Sequence, residues 1–146
     1  MKHTRNSINL YSDKILSLAA SIPLSTRLEK PQATVTKRSP LCGSKVTIDM
    51  DLKDKTVLAF GQEVRACVLG QAAASILGHR IIGSNQDEIR KIRSEVLKML
   101  NGFEYILEPF TDFEVLSPAA DYKNRHASIL LSLDAACEAI DIINGY

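Results

Sequence analysis

Ile8, Tyr11, Ile15, Leu18 and Ile22 stand three or four positions apart, a spacing that predicts an amphipathic helix stopped by Pro23. Residues 24–31 read as a linker, and the short β-branched run 33–38 as an edge strand. Val46, Ile48, Met50 and Leu52 then alternate with Thr47, Asp49 and Asp51, the pattern of a strand with one apolar face. Lys53-Asp54-Lys55 predicts a turn and residues 56–66 the returning strand, so an antiparallel hairpin forms with its polar face turned to water.

Beyond the hairpin the period lengthens. Residues 68–77 are small and apolar and predict a buried helix ending at Gly78. Asn85 followed by Glu88 marks the start of another helix, with Gly102 as its stop and Ile89, Ile92, Val96 and Met99 as its apolar stripe. Residues 103–116 are aromatic and irregular. A last helix is expected over 128–143, with Leu130, Leu133, Cys137 and Ile140 facing inward. Strands first and helices after give an α+β fold: a small antiparallel sheet of about three strands covered on one face by helices, in a single domain over residues 1–146.

Composition narrows the function classes. A chain of 146 residues, 45% hydrophobic, buries roughly 68–70% of its unfolded surface and needs no disulfide staples. Eighteen Lys and Arg oppose 17 Asp and Glu along the whole chain, so no basic face for nucleic acid is expected. No run approaches the roughly 18 apolar residues that cross a bilayer, and Met1-Lys2-His3-Thr4-Arg5-Asn6 does not open a secretory signal. Three widely spaced cysteines, an odd count, fit reduced thiols in a cytoplasmic protein better than a disulfide framework.

Two of those cysteines occupy chemically useful contexts. Cys42 lies in Ser39-Pro40-Leu41-Cys42-Gly43, ahead of the alternating strand, and Cys67 lies between the returning strand and the run Gly70-Gln71-Ala72-Ala73-Ala74-Ser75. A thiol at a helix start meets the positive end of the dipole and free backbone N–H groups, and the thiolate is the form that binds metal or attacks sulfur. His126, in Lys123-Asn124-Arg125-His126-Ala127, stands at the entrance to the last helix. Two thiolates and an imidazole are three of the four ligands of tetrahedral zinc, and a thiolate-rich site also suits iron–sulfur clusters. The gaps between them are long and no CxxC is present, so on spacing alone packed structural cysteines are the simpler reading. Cys137 reads as a small core residue, His79 as a helix-end residue complementing the dipole, and His3 as part of a terminus. Phe103, Tyr105, Phe110 and Phe113 read as loop anchors, and Arg90, Lys91, Arg93 and Lys98 as the wet face of their helix. A thiol enzyme using Cys67 with His126 as base lacks a third orienting group or oxyanion motif.

Taken in order, Tyr11-Ser12, Cys42-Gly43, the segment from Val57 to Cys67, Ala72-Ala73-Ala74-Ser75 and His126-Ala127-Ser128-Ile129-Leu130 resemble the IscU/NifU-type iron–sulfur cluster assembly scaffold family. In that family a first cysteine stands in a Cys-Gly-Asp turn. A second opens a helix rich in Ala and Ser, and a third opens the last helix, often after a histidine. The resemblance implies that Cys42 and Cys67 match the first two cysteines and His126 the histidine. Ala127 replaces the third cysteine, and Ser44 replaces the aspartate. The Leu-Pro-Pro-Val-Lys motif read by a dedicated chaperone is absent, with Ser117-Pro118-Ala119-Ala120 nearby. The implied role is non-enzymatic: sulfur taken from a cysteine desulfurase, then iron, a transient iron–sulfur cluster or zinc held by Cys42, Cys67 and His126, and cargo passed to acceptor proteins. A water or carboxylate would complete four ligands around zinc. The two altered positions imply an alternative, a degenerate scaffold homologue kept as a protein-interaction module.

Overall fold

A computed structural model describes residues 10–40 and 43–146 of the chain. The alternating pattern forms the hairpin it predicts, and the hairpin is the middle and one border of the sheet. Strands β1 (Ala33–Arg38), β2 (Lys45–Lys53) and β3 (Thr56–Arg65) make a 3-stranded antiparallel sheet in the order β1-β2-β3. Val35 pairs with Ile48 and Met50 with Phe60, so Val46, Ile48 and Met50 lie on one face with Val35 and Phe60. The tight turn places Asp54 and Lys55 at φ of 52° and 65°, without a glycine.

The polar face departs from expectation. It is not simply wet, because residues 26–28 of the expected linker cross it over Gly61, where a Cβ would meet the backbone of Thr26, Arg27 and Leu28. Asp49, fully buried there, accepts from Arg27 Nε at 2.6 Å, Arg27 Nη2 at 3.2 Å, the Leu28 N–H at 2.9 Å and Thr34 Oγ1 at 2.6 Å. Burial alone would raise the Asp49 carboxyl, but those donors outweigh it and hold the group below the usual carboxylate range. The linker is thus a strap tied to the sheet through one carboxylate. The outer edge of β3 is also occupied, since Val57 N–H donates to Ser84 O, Gly83 N–H to Val57 O, and Gln62 N–H to Leu24 O, each at 2.9 Å.

Helices cover the apolar face. Helix α1 (Asp13–Ala20) is capped by Ser12, whose hydroxyl accepts from the Ile15 N–H. It ends before Ile22 and Pro23, with Leu10 and Ile15 buried and Tyr11 exposed; Ile8 lies outside the described residues. Helix α2 (Val68–Arg80) continues past Gly78 rather than stopping there. Gly78 serves close packing, since a Cβ would stand 2.8 Å from Gln62 Nε2 and 2.9 Å from Pro23 Cγ. Helix α3 (Gln86–Leu100) starts with the expected reciprocal cap between Asn85 and Glu88, and Gly102 follows it at φ 82°. Short 3-10 stretches over Thr111–Asp121 and Lys123–Arg125 lead into α4 (His126–Ile143). Helix α4 packs on β1 and β2, with α2 and α3 against it, and α1 rests on α2. The result is the expected α+β layering. Among the described residues no helix is long and apolar enough to cross a membrane.

Candidate functional site

The hairpin delivers two turns to one end of the sheet, because the pair Lys45–Arg65 closes the ladder between them. The turn closed by Ser39, Gly43 and Ser44 precedes Lys45, and Cys67 follows Arg65 at the start of α2. Cys42 itself lies outside the described residues. Its neighbours define the base of the turn: the Ser39 N–H donates to Ser44 O at 2.8 Å and the Gly43 N–H to Ser39 O at 3.0 Å. Gly43 adopts φ 70°, a conformation open to glycine and costly for most side chains.

Cys67 is the N-cap residue of α2, half-buried, with extended backbone and no side-chain cap bond of its own. Its sulfur lies 3.3 Å from the Ser128 hydroxyl, and that hydroxyl lies 3.2 Å from the Ser44 hydroxyl. Both serines are buried. Gly70 allows the approach, because a Cβ there would stand 2.5 Å from Ser128 Oγ. Ser44 lies just beyond Cys42 in the chain, and Ser128 just beyond His126 in the first turn of α4. The hydroxyl bridge therefore joins the three elements that carry the predicted residues. The sequence offers Ser44 only as the residue in place of the family's aspartate, and Ser128 only as a member of the run His126-Ala127-Ser128-Ile129-Leu130. The one available signal was a polar residue beside the apolar Ile129 and Leu130.

His126 opens α4 and is half-buried. Its Nε2 lies 3.0 Å from Ala119 O and 3.2 Å from Ala120 O. Carbonyl oxygens only accept, so Nε2 carries a proton, and in the neutral ring Nδ1 is the nitrogen with the lone pair a metal would use. Ala127 is exposed in the first turn of α4. Among the described residues no three His, Cys, Asp or Glu side chains gather as a metal site. The predicted set includes Cys42, which those residues leave out, so it is not placed as a whole.

Cys137 is half-buried beside α3 rather than in the core, in a groove with Lys37, Arg90, Arg93 and Glu138. Burial pushes its thiol up to about 11, against the opposing pull of Arg90 and Arg93. Those two arginines are not a free wet face, since Arg90 pairs with Asp141 at 2.6 Å and Arg93 with Asp134 at 2.8 Å, tying α3 to α4. His79 is exposed near the end of α2, as expected, with Nδ1 2.7 Å from Ser75 O. Phe110 and Phe113 are buried anchors, whereas Phe103 stands in solvent.

Known structures share this fold. A crystal structure of a nitrogen-fixing NifU-like protein (N-terminal) from Brucella abortus superposes with a TM-score of 0.93 at 36% identity, covering 95% of this chain and 97% of that one. A putative scaffold protein for the SUF system from Fervidobacterium islandicum shares the fold, with a TM-score of 0.81 at 20% identity over 90% of this chain and 96% of that one. The iron–sulfur cluster assembly scaffold protein IscU of Thermotoga maritima is 27% identical over 135 residues, 92% of this chain and 95% of the relative. No protein-family model matches the chain. The chain belongs to the IscU/NifU-type family of iron–sulfur cluster assembly scaffolds.

Proposed function

We propose that this protein is a scaffold or carrier that takes up sulfur on Cys67 and Cys42 from a cysteine desulfurase and holds iron, a transient iron–sulfur cluster or zinc through Cys42, Cys67 and His126. The supporting observation is the hydroxyl bridge, in which Ser128 lies 3.3 Å from the Cys67 sulfur and 3.2 Å from Ser44, next to the Cys42 turn. In sulfur uptake the Cys67 thiolate attacks the terminal sulfur of a desulfurase persulfide. A new S–S bond forms on Cys67, the old one breaks, and the desulfurase cysteine leaves as thiolate. His126 would offer Nδ1 to the metal, with Nε2–H held by Ala119 and Ala120. The cargo is then passed to acceptor proteins.

The test is metal and acid-labile sulfide per chain after anaerobic purification. Cys42→Ala and Cys67→Ala are expected to lower both sharply, His126→Ala to weaken retention without abolishing it, and Cys137→Ala to change neither. Equal contents in all four variants rule out the ligand set. Neither metal nor sulfide in the unmodified protein favours the second reading, a degenerate homologue serving as an interaction module, which the replacements at Ala127 and Ser44 support. Ser44 is buried and bonded to Ser128, so it works as a strut rather than as a substitute ligand.

A further inference from the structure

The loop 101–110, between α3 and the first 3-10 stretch, is firmly fixed and yet presents apolar side chains to water. The Phe103 N–H donates to Lys98 O at 2.9 Å, and the Ile106 N–H donates to Glu95 Oε1 at 2.7 Å. Tyr105 is held through its hydroxyl, 2.7 Å from Glu114 Oε2, while Leu107 and Phe110 are buried beneath. Phe103 nevertheless remains 67% exposed and Ile106 62% exposed. A loop pinned by this many bonds is not free to turn those side chains inward, so their exposure is built in.

Shape and charge define what would cover them. Tyr105 and Ile106 form a ridge between two clefts. One, of about 400 Å³, is walled by Leu107, Glu108, Thr111 and Glu114. The other, of about 590 Å³, is walled by Glu95, Lys98 and Glu104. The Lys98 ammonium is spent on Glu95 at 2.8 Å. Among the described residues Glu104, Glu108 and Glu114 have no ion pair, so the rim is acidic around an apolar ridge. A second copy meeting this face across a two-fold axis would set carboxylate against carboxylate. We infer that the Phe103–Ile106 ridge is a docking surface for a partner protein, and that it takes a short segment carrying apolar side chains flanked by Lys or Arg. The apolar residues fill the clefts, and the cations meet the glutamates. This docking does not depend on the ligand set proposed above.

The probe is a synthetic peptide with a Leu-Phe centre flanked by lysines and arginines, titrated into the isotope-labelled full chain with amide shifts as readout. Saturable shifts over residues 103–108 are expected, weakening as salt rises. Ile106→Ser and Glu104→Lys, both at exposed positions that leave the core intact, are each expected to weaken binding by about tenfold. Cys67→Ser is expected to leave it unchanged, which separates this surface from the thiol site. No saturable shift at millimolar peptide, or equal binding by Ile106→Ser and the unmodified chain, overturns the proposal. So does a concentration-dependent dimer abolished by Ile106→Ser, which assigns the face to a second copy.

Discussion

The Ser128 hydroxyl sits 3.3 Å from the Cys67 sulfur, at the point where the first turn of α4 meets the first turn of α2. Substituting Ser128→Ala removes a contact that orients the sulfur while leaving every proposed ligand in place. A second group that orients a ligand is worth about 10–100-fold in metal affinity. Competition for zinc with a chromophoric chelator is expected to show a loss of that size, with the fold intact by circular dichroism. Unchanged affinity would reduce Ser128 to packing.

Ala127 is exposed beside His126 at the start of α4. Ala127→Cys adds a thiolate without disturbing the interior. The variant is expected to hold metal at least about tenfold more tightly, a ligand-scale effect, and to retain more acid-labile sulfide. A variant no better than the unmodified chain would show that the α4 start does not face the cargo.

Gly78 lies inside α2, where alanine is normally the better helix former by about 1 kcal/mol. Here the added methyl would press on Gln62 and Pro23 at 2.8 and 2.9 Å. Overpacking of this kind costs about 1–3 kcal/mol, so Gly78→Ala is expected to be net destabilising in urea denaturation. A more stable variant would mean that Pro23 and Gln62 yield easily.

Asp49 gives the chain an acid-sensitive fastening. Its carboxyl is held below its ordinary range, so the stability it contributes is complete above the unfolded-chain value of about 3.9 and is lost as pH falls through the folded value. Asp49→Asn is expected to cost about 1–3 kcal/mol at pH 7. The gap between the two proteins narrows as pH falls below that unfolded-chain value and the native carboxyl takes up its proton. Parallel stability curves over that range would contradict the assignment.

Much of the fold was legible because burial imposes a period. The alternation over residues 45–52 gave β2, and the Asn85–Glu88 cap gave the start of α3 to the residue. What could not be read was long-range. Residues 24–31 look like any polar linker, and only the folded sheet shows Arg27 and Leu28 converging on Asp49. Gly78 carries the signature of a helix stop, and its real duty depends on Pro23 and Gln62, distant in sequence. Cys67 and His126 were legible through their helix-start contexts. Ser44 and Ser128 were not, since a buried hydroxyl bridge leaves no periodic trace.

The fastenings along β3 bear on how the molecule behaves in a crowd. An open strand border is a template on which another chain can crystallise its own backbone. Here Leu24, Gly83 and Ser84 already fill that border, and the opposite one, β1, ends in the cations Lys37 and Arg38. Filled hydrogen bonds on one side and charge at the end of the other are expected to leave this protein dispersed at high local concentration rather than stacked into ribbons.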